Sequence, residues 1–278
     1  MRWREYLAQA TQILAAAGVL DPAAEARYLW EYASKFSYSE WLTHEWEPSP
    51  QILVAFDRMV QRRARREPFH YIVGSREFMG LTLSVNQSVL VPRPETEILV
   101  QRVLEHLKCT PGAVVVDVGT GSGAIALAIR RWGPQSLEVL ATEVSESALA
   151  VARENGRRLQ LLVSWRLGSL LQPISDPVDV VVANLPYIAD SEEGHLAPEL
   201  SYEPSVALYG GAKGTELVEQ LIDQSRARLR PGGHIYLELG QGQSQSVMAY
   251  LTDQGFAVDP VTHDYAGINR VVGGRWEG

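Results

Sequence analysis

Apolar residues recur at helical spacing through the first 70 residues. One stripe, which ends at Gly18, consists of Trp3, Leu7, Ala10, Ile13, Leu14 and Ala17. The pairs Asp21-Pro22 and Ser49-Pro50 each combine a helix N-cap with a first-turn proline. They predict helices over about 22–34 and from Pro50 into the arginines at 62–66, after a first helix over 2–17. With a short helix expected over Ser39 to Glu45, the pattern predicts a small all-helical domain over residues 1–75.

The pattern changes after Tyr71. Apolar and polar residues alternate from Phe78 to Val85 around Gly80, which predicts a β-hairpin. The prolines of the segment 91–97 exclude a helix until after Pro94, and a helix then fits Glu95 to Lys108. Residues 76–110 are therefore expected to form a hairpin and a linking helix.

Strands and helices alternate after Pro111, as in a parallel α/β sheet. The predicted strands are Ala113 to Asp117, Leu137 to Glu143, Leu161 to Leu167, Val178 to Ala183 and His234 to Leu239. The predicted helices cover 122–132, 146–158, 215–229 and 242–254. Two last strands, the second over 269–272, have no helix between them and predict an antiparallel hairpin at the sheet edge.

Composition is that of an ordinary globular chain, with 46% hydrophobic and 21% charged residues among 278. No apolar run approaches the roughly 18 residues of a membrane helix, and the N-terminus lacks a signal-peptide core. Cys109 is the only cysteine and the six histidines are scattered, so we expect no disulfide and no metal site. A cytoplasmic protein is the simplest expectation.

Charge is divided unevenly along the chain. Residues 1–76 carry ten basic and nine acidic side chains, and the rest carries fifteen and twenty-four, a net of −9. This acidic half disfavours stable nucleic-acid binding, which needs many phosphate contacts. The arginines at 62, 63, 65 and 66 either form a solvated last helical turn or contact an acidic partner or RNA.

A glycine-rich turn follows the first strand of the sheet and opens a helix. Gly119, Thr120, Gly121 and Gly123 lie in this turn, where glycine permits a tight bend and close approach to a ligand. The free N–H groups at the helix start suit an anion, either a dinucleotide pyrophosphate or the carboxylate of a methionine moiety. The turn alone does not decide between them.

Glu143 ends the second strand of the sheet. A carboxylate at this place accepts hydrogen bonds from ribose hydroxyls, in NAD and S-adenosylmethionine alike. The alternative is a surface carboxylate that caps the next helix near Ser145.

The tetrapeptide Asn184-Leu185-Pro186-Tyr187 follows the fourth strand, at the edge where open α/β folds bind ligands. The asparagine, the backbone carbonyls and the flat tyrosine ring suit an –NH₂ group on an sp² carbon, either an amide or an adenine. Hydrogen-bond acceptors there orient a weakly nucleophilic nitrogen towards a methyl sulfonium, so catalysis rests on positioning. A simple strand-ending turn with a buried aromatic is the alternative.

These motifs together resemble the HemK family of protein-(glutamine-N5) methyltransferases, and the likeness spans nearly the whole chain. It rests on the Gly119–Gly123 turn, on Asn184 to Ile188 and on four further segments: 78–81, 91–97, 202–208 and 264–270. The resemblance implies a seven-stranded, Rossmann-like class I methyltransferase domain over 111–278 that uses S-adenosylmethionine. It implies that residues 1–75 help recognise class I peptide chain release factors, whose Gly-Gly-Gln glutamine is methylated. We expect a monomer.

Roles follow by position from the resemblance. Gly119, Thr120, Gly121, Gly123, Glu143, Leu170 and Asn184 would bind the cofactor, Asn184 to Tyr187 would grip the glutamine, and Asn184, Pro186 and Tyr187 would be catalytic. Leu185 stands where the family usually has a second proline. Ser169 and Leu170 stand where an aspartate and an aromatic are common, and Leu170 is expected to pack on the adenine.

Three other interpretations fit parts of the chain. Asn-Leu-Pro-Tyr is typical of rRNA adenine dimethyltransferases, so an adenine N6-methyltransferase of rRNA or DNA is the main alternative. A typical enzyme of that kind has its cofactor domain first and a helical domain after it, whereas about 110 residues precede the glycine turn here. A nicotinamide dehydrogenase leaves the asparagine turn unexplained, and a non-catalytic module would bind cofactor without methyl transfer.

Overall fold

The computed structural model describes residues 3–43, 47–194 and 196–278, and the chain forms two compact units. One unit comprises Met1–Ser75 and Ala197–Tyr202, and the other comprises Arg76–Leu196 and Glu203–Gly278. Arg2, His44, Glu45 and His195, which enter the predicted helices or the histidine pattern, lie outside the described residues. No helix in the described ranges is both long and apolar enough to cross a membrane.

Helices build the first unit, and proline-containing caps start two of them. The helices are α1 (Trp3–Ala16), α2 (Pro22–Ser34), α3 (Tyr38–Thr43), α4 (Pro50–Ala64) and α5 (Phe69–Val73). The Asp21 side chain accepts from the Ala24 N–H at 3.2 Å, and Ser49 Oγ accepts from the Ile52 N–H at 3.4 Å. Both predicted caps are therefore present, whereas α5 is too short for its apolar spacing to predict it.

Aromatic side chains fill the centre of the helical unit. Trp30 is fully buried, with ring centroids 4.9 Å from Phe56 and 5.2 Å from Trp41, both edge-to-face. Trp3 also packs on Trp30 and Trp41. Pairs of this kind add about 0.5–1.5 kcal/mol each beyond the burial of apolar area, so this cluster is a large part of the small unit's stability.

Two arginines in the last turn of α4 and one just after it are paired inside the first unit. Arg63 is only 5% exposed, and its guanidinium contacts Glu25 at 2.5 Å and Glu199 at 3.0 Å. Arg66 contacts Glu199 at 2.7 Å, and Arg62 pairs with Glu67. A solvated last turn does not describe Arg63, so that prediction was wrong for it, whereas contact of the exposed Arg65 with an acidic partner or RNA stays a prediction. The sequence pattern could not place Glu199, which lies more than 130 positions away.

The second unit starts at Arg76, within the hairpin of β1 (Ser75–Phe78) and β2 (Leu81–Ser84), and continues with the helix α6 (Thr96–Leu107). The strands that follow are β3 (Val114–Val118), β4 (Glu138–Glu143), β5 (Ser164–Leu167), β6 (Val178–Ala183), β7 (Ile188–Ala189), β8 (Tyr209–Gly211), β9 (Leu229–Glu238), β10 (Phe256–Val258), β11 (Thr262–His263) and β12 (Asn269–Trp276). The helices between them are α7 (Ala124–Trp132), α8 (Glu146–Leu159), α9 (Glu216–Arg226) and α10 (Ser244–Asp253), with short 3-10 turns over 190–192, 198–202 and 205–207.

The main sheet has the order β10-β12-β9-β6-β3-β4-β5, and β11 pairs with β12. Strands β9, β6, β3, β4 and β5 are parallel, and β12 is antiparallel to both of its neighbours. The two-stranded sheet of β7 and β8, which the sequence pattern missed, is parallel.

The last strands confirm the predicted antiparallel pairing at the sheet edge, because β10 and β12 pair antiparallel at one end of the sheet and β11 also pairs with β12. β12 lies between β9 and β10, where Val271 and Val272 are almost fully buried. The outer strand is β10, with three residues, of which Ala257 and Val258 are half-buried. A short strand at the edge limits pairing with other chains, and the longer apolar strand is covered on both sides.

Alternation along the central strands divides the core into two layers. Val115 and Val180 pack with the apolar face of α6 and α7 on one side of the sheet. Val116 and Val181 pack with α9 and α10 on the other. Helices on both faces leave the carboxyl ends of the parallel strands open at one edge.

Candidate active site

The strand order places three predicted motifs side by side. β3 lies between β6 and β4, with Val118 paired to Ala183 on one side and to Thr142 on the other. The glycine turn, Glu143 and Asn184 therefore emerge from adjacent strands at the same edge. This is the switch point of the sheet, where crossover connections leave in opposite directions and open α/β folds bind ligands.

A cavity of about 310 Å³ opens at this point. Eight predicted site residues line it: Gly119, Thr120, Gly121, Glu143, Leu170, Asn184, Leu185 and Pro186. The fold thus brings eight of the ten predicted site residues together at the cavity. Gly123 and Tyr187 are not part of its lining.

Backbone geometry explains two of the glycines. Gly119 has φ +73°, and a Cβ there would lie 2.9 Å from Leu185 Cδ2, so a side chain would collide with the asparagine turn. Gly123 has φ +86° and starts α7, where a Cβ would lie 3.2 Å from the Trp165 ring. Gly119 therefore permits close approach at the cavity, whereas Gly123 permits close packing of the helix that follows.

A buried carboxyl group holds the glycine turn against α7. Asp117 Oδ2 accepts from Thr120 Oγ1 at 2.5 Å and from the Ala126 N–H at 3.0 Å. Oδ1 has no hydrogen-bond partner within the described part of the chain. Burial raises the pKa of Asp117 to about 7. The sequence pattern marked Asp117 only as a strand end, although a polar residue closing a buried strand is itself a signal.

Glu143 faces the cavity and also binds two backbone amides. It is 8% exposed; Oε2 accepts from the Gly121 N–H and Oε1 from the Ser145 N–H, both at 2.9 Å. Ser145 Oγ in turn accepts from the Ala148 N–H at 3.3 Å as the cap of α8. Each carboxylate oxygen has further lone pairs, so these bonds fix the carboxylate and leave it able to accept from a ligand.

Asn184 is held by its amide nitrogen. Asn184 Nδ2 donates to Thr96 Oγ1 at 3.0 Å. Asn184 Oδ1 accepts no hydrogen bond from any residue that the structure describes. The side chain thus offers a free acceptor at the cavity, and Thr96 was not predicted to have a role.

Tyr187 lies just beyond the cavity lining. Its carbonyl accepts from Gln243 Nε2 at 2.8 Å, and a Cβ on Gly240 would lie 3.0 Å from Tyr187 Cδ2, so the ring packs closely on that backbone. Burial, with the nearby Glu238 carboxyl, raises the pKa of the Tyr187 phenol. The phenol is therefore neutral at physiological pH.

The remaining wall comes from segments outside the three motifs. Residues 88–90, 92, 93, 206 and 207 all line the cavity. Buried Glu203 joins these segments, because its carboxylate accepts from the Val91 N–H at 3.1 Å and from Arg93 Nη2 at 2.6 Å. For residues 92, 93, 206 and 207 the family-like sequence was the only signal, since periodicity predicts no contact between positions 110 residues apart, and residues 88–90 carried no signal.

Models of known protein families match an N-terminal and a central stretch of the chain. Residues 5–74 match the model described as PrmC N-terminal domain, and residues 95–202 match the Methyltransferase small domain. The release factor glutamine methyltransferase of Deinococcus radiodurans is 36% identical over 279 residues, covering 100% of both chains. That of Moorella thermoacetica is 38% identical over 275 residues, covering 97% of each.

A solved methyltransferase from Pyrococcus furiosus has a similar structure. It aligns with a TM-score of 0.58 and 20% identity, over 78% of this chain and 99% of its own. At that identity the likeness concerns the fold alone, and it confirms the predicted class I methyltransferase architecture.

Proposed function

The chain belongs to the release factor glutamine methyltransferases, and on this premise we propose how its site works. The enzyme transfers a methyl group from S-adenosylmethionine to the side-chain amide nitrogen of the release-factor glutamine. The observation that carries the mechanism is the free Oδ1 of Asn184 at the end of β6, beside the glycine turn.

An amide nitrogen is a poor nucleophile because its lone pair is delocalised into the carbonyl. S-adenosylmethionine supplies a methyl group activated by its sulfonium. During transfer the new N–C bond forms as the C–S bond breaks, and the amide nitrogen loses one proton to water. The protein therefore needs acceptors that hold the N–H groups and turn the lone pair towards the methyl carbon.

Asn184 Oδ1 accepts one amide hydrogen in this proposal, and the backbone carbonyl of Leu185 accepts the other. Pro186 lines the cavity next to them and stiffens the turn. Tyr187 follows directly, and its ring serves as the flat face beside the glutamine amide. A backbone acceptor explains why leucine functions where the family usually has proline.

The residues around the cavity fit the cofactor. Gly119, Thr120 and Gly121 border it with backbone that a methionine carboxylate approaches closely, and Gly123 supports this turn through the packing of α7. The carboxylate of Glu143, preset by its two backbone bonds, accepts from the ribose hydroxyls. Leu170 offers an apolar surface to the adenine.

The domain roles and cellular setting complete the proposal. Residues 1–75 recognise the release factor, residues 76–110 link, and residues 111–278 carry the methyltransferase site. The net charge of −9 over residues 77–278 supports a protein substrate and disfavours stable nucleic-acid binding. We propose a cytoplasmic monomer that acts on class I release factors at their Gly-Gly-Gln motif.

Labelled S-adenosylmethionine tests the proposal. The enzyme is incubated separately with a release factor, with the same factor carrying Gln→Ala in its Gly-Gly-Gln motif, and with rRNA. We expect label only in the unaltered factor. Label in rRNA but not in protein would favour the adenine methyltransferase alternative, which the named relatives already disfavour.

A further inference from the structure

Asn155 is a buried polar residue that no sequence motif marked. It lies in the second half of α8 and is fully buried. An amide is buried at low cost only where its N–H groups and its oxygen find hydrogen-bond partners. The partners of Asn155 lie in two segments far apart in the chain, at Ser84 and at Ser122. Its side chain therefore connects these two segments.

Asn155 pairs with Ser84, the last residue of β2, in the way that a neighbouring strand would. Oδ1 accepts from the Ser84 N–H at 2.8 Å, and Nδ2 donates to the Ser84 carbonyl at 3.0 Å. A backbone N–H only donates and a carbonyl only accepts, so this pairing fixes the orientation of the Asn155 amide. Arg158, also in α8, donates to the Thr82 carbonyl. α8 thus holds β2 at two of its four residues.

The same amide nitrogen also reaches the glycine turn. Asn155 Nδ2 donates to the Ser122 carbonyl at 2.9 Å. Ser122 lines the cavity and is almost fully buried. α8 approaches the turn closely here, because a Cβ on Gly123 would lie 3.3 Å from the Ala152 Cβ. The turn is therefore fixed to α8 by a hydrogen bond as well as by packing.

The two partners of Asn155 belong to two different walls of the cavity. Ser122 is part of the glycine-turn wall, which Glu143 also holds through the Gly121 N–H. Ser84 leads within a few residues to 88–90, which line another wall. Asn155 lines neither wall, but its hydrogen bonds fix the position of one relative to the other.

We propose that Asn155 is a positioning residue that holds the glycine turn and the wall at 88–90 in the arrangement that binds S-adenosylmethionine. The inference rests on the proposed function for the assignment of the glycine turn to the methionine part of the cofactor. Without Asn155 the Ser122 carbonyl loses its donor, and the turn is in the binding arrangement for only a fraction of the time. The apparent affinity for the cofactor falls by that fraction. Asn155 acts through Ser122 and touches no reacting atom.

Asn155→Ala tests this role by a split between affinity and turnover. We expect the Kd for S-adenosylmethionine, measured by calorimetry, and its KM to rise about tenfold. At saturating cofactor the turn is ordered again, so kcat on the release factor should stay within about threefold of the wild type. A residue that only stabilised the fold would act differently. Its loss would lower the folded fraction and the apparent kcat, and leave KM unchanged.

Three further variants separate the glycine turn from β2 and from general stability. Asn155→Asp keeps the acceptor for the Ser84 N–H but sets a carboxylate against the Ser122 carbonyl, so its Kd should rise at least as much as in Asn155→Ala. Arg158→Ala loosens β2 without touching the glycine turn. Leu251→Ala weakens the core of the same unit beside α10. Both controls should keep Kd within about threefold of the wild type. Wild-type Kd in folded Asn155→Ala would overturn the proposal.

Amide hydrogen exchange tests the connection in the wild type, without any variant. The Ser84 N–H donates to Asn155, whereas the Asp259 N–H donates to the Gly273 carbonyl beside the outer strand β10. Saturating S-adenosylmethionine should slow exchange at Ser84 at least about fivefold more than at Asp259, because the cofactor orders the turn that shares Asn155 with β2. Equal slowing at both amides would reject the role of Asn155.

Both the calorimetry and the hydrogen exchange need no methyl acceptor, so they separate this inference from the proposed function. If Asn155→Ala weakens cofactor binding as expected but no release factor is methylated, the positioning role stands and the proposed substrate is wrong. If the release factor is methylated and folded Asn155→Ala binds cofactor like the wild type, the proposed function stands and the positioning role is wrong.

Discussion

The backbone N–H of Gly121 donates to Oε2 of Glu143 at 2.9 Å, so the glycine turn after β3 is fastened to the end of β4. The proposed anchors of the methionine part and of the ribose are therefore one connected structure. A change in Glu143 acts on both.

Replacement of Glu143 tests this connection. Glu143→Ala should weaken binding of S-adenosylmethionine by about 2–4 kcal/mol, because hydrogen bonds to a charged acceptor are lost. Glu143→Asp should be milder, since it keeps a carboxylate. Calorimetry measures both, with Glu154→Ala as an exposed control. Equal cofactor affinity in Glu143→Ala and the wild type would remove Glu143 from the binding site.

Substitutions in the asparagine turn separate chemistry from folding. Asn184→Ala should lower kcat by about 100-fold or more while cofactor affinity stays nearly unchanged, because the lost acceptor orients only the amide. Tyr187→Ala should raise KM for the release factor by removing a stacking face. Robust methylation by folded Asn184→Ala would exclude a role for Asn184 in the reaction.

Leu185 contributes its side chain to the core as well as its backbone carbonyl to the proposed site, so its replacement should change stability. Its side chain is 4% exposed and belongs to the core between the sheet, α9 and α10. Leu185→Ala should therefore lower the free energy of unfolding by about 2–3 kcal/mol while kcat stays near the wild-type value. Leu185→Pro, which restores the common family residue, should also remain active. A large loss of kcat in a stable Leu185 variant would contradict the backbone-acceptor assignment.

The buried arginine of the helical unit gives a stability prediction. Arg63→Ala leaves Glu25 and Glu199 without their shared cation and should lower the free energy of unfolding by about 3 kcal/mol. Arg157→Ala is the control, because its pair with Glu154 is fully exposed and should contribute nothing measurable. Denaturant unfolding followed by tryptophan fluorescence measures both. Equal midpoints for the two variants would contradict the structural role of Arg63.

Two histidines predict a pH effect on stability. The His106 and His234 rings lie 4.3 Å apart, and burial lowers the pKa of both. The unfolded chain, with histidine pKa values near about 6.5, then binds more protons than the folded one, so stability falls as pH drops below that value. The variant His106→Gln should show a smaller fall than the wild type.

Two buried carboxyl groups change stability with pH in the opposite direction to the histidines. The pH dependence of the wild type must therefore be compared with that of a histidine variant. Burial raises the pKa of Asp117 and of Glu238 to about 7, which makes stability decline as pH rises from about 4 to 7. The difference between wild type and His106→Gln cancels these contributions. If that difference does not depend on pH, the histidine pair does not titrate as stated.

Local signals in the sequence predicted the parts of the fold that local chemistry determines. The caps at Asp21 and Ser49 and the strand over 178–183 came from neighbouring residues, and the structure confirms them. α5, β7 and β8 were missed because elements of two to five residues have too few positions to show a period. The antiparallel pairing of the last strands at the sheet edge was predicted, but the choice of β9 as the other neighbour of β12 depends on pairing partners, which periodicity does not specify.

The candidate site also contains residues that sequence motifs predicted and residues that only the structure brings to it. The glycine turn, Glu143 and Asn184 carry recognisable motifs on strands that end at one edge. Thr96 lies 88 positions from Asn184, and its hydroxyl bond could be found only from coordinates. Glu238 likewise lies in an apolar strand, and sequence context alone does not indicate its burial.

The membership of Ala197–Tyr202 in the helical unit has a consequence for recombination between genes. The chain passes from one unit to the other three times, after Ser75, after Leu196 and after Tyr202. A crossover that exchanged only residues 1–75 would bring in a new partner for Glu199 while keeping the old Glu199. The helical unit can therefore be exchanged between such enzymes with its ion pairs intact only as two separate segments, which restricts the modular evolution that a single boundary would permit.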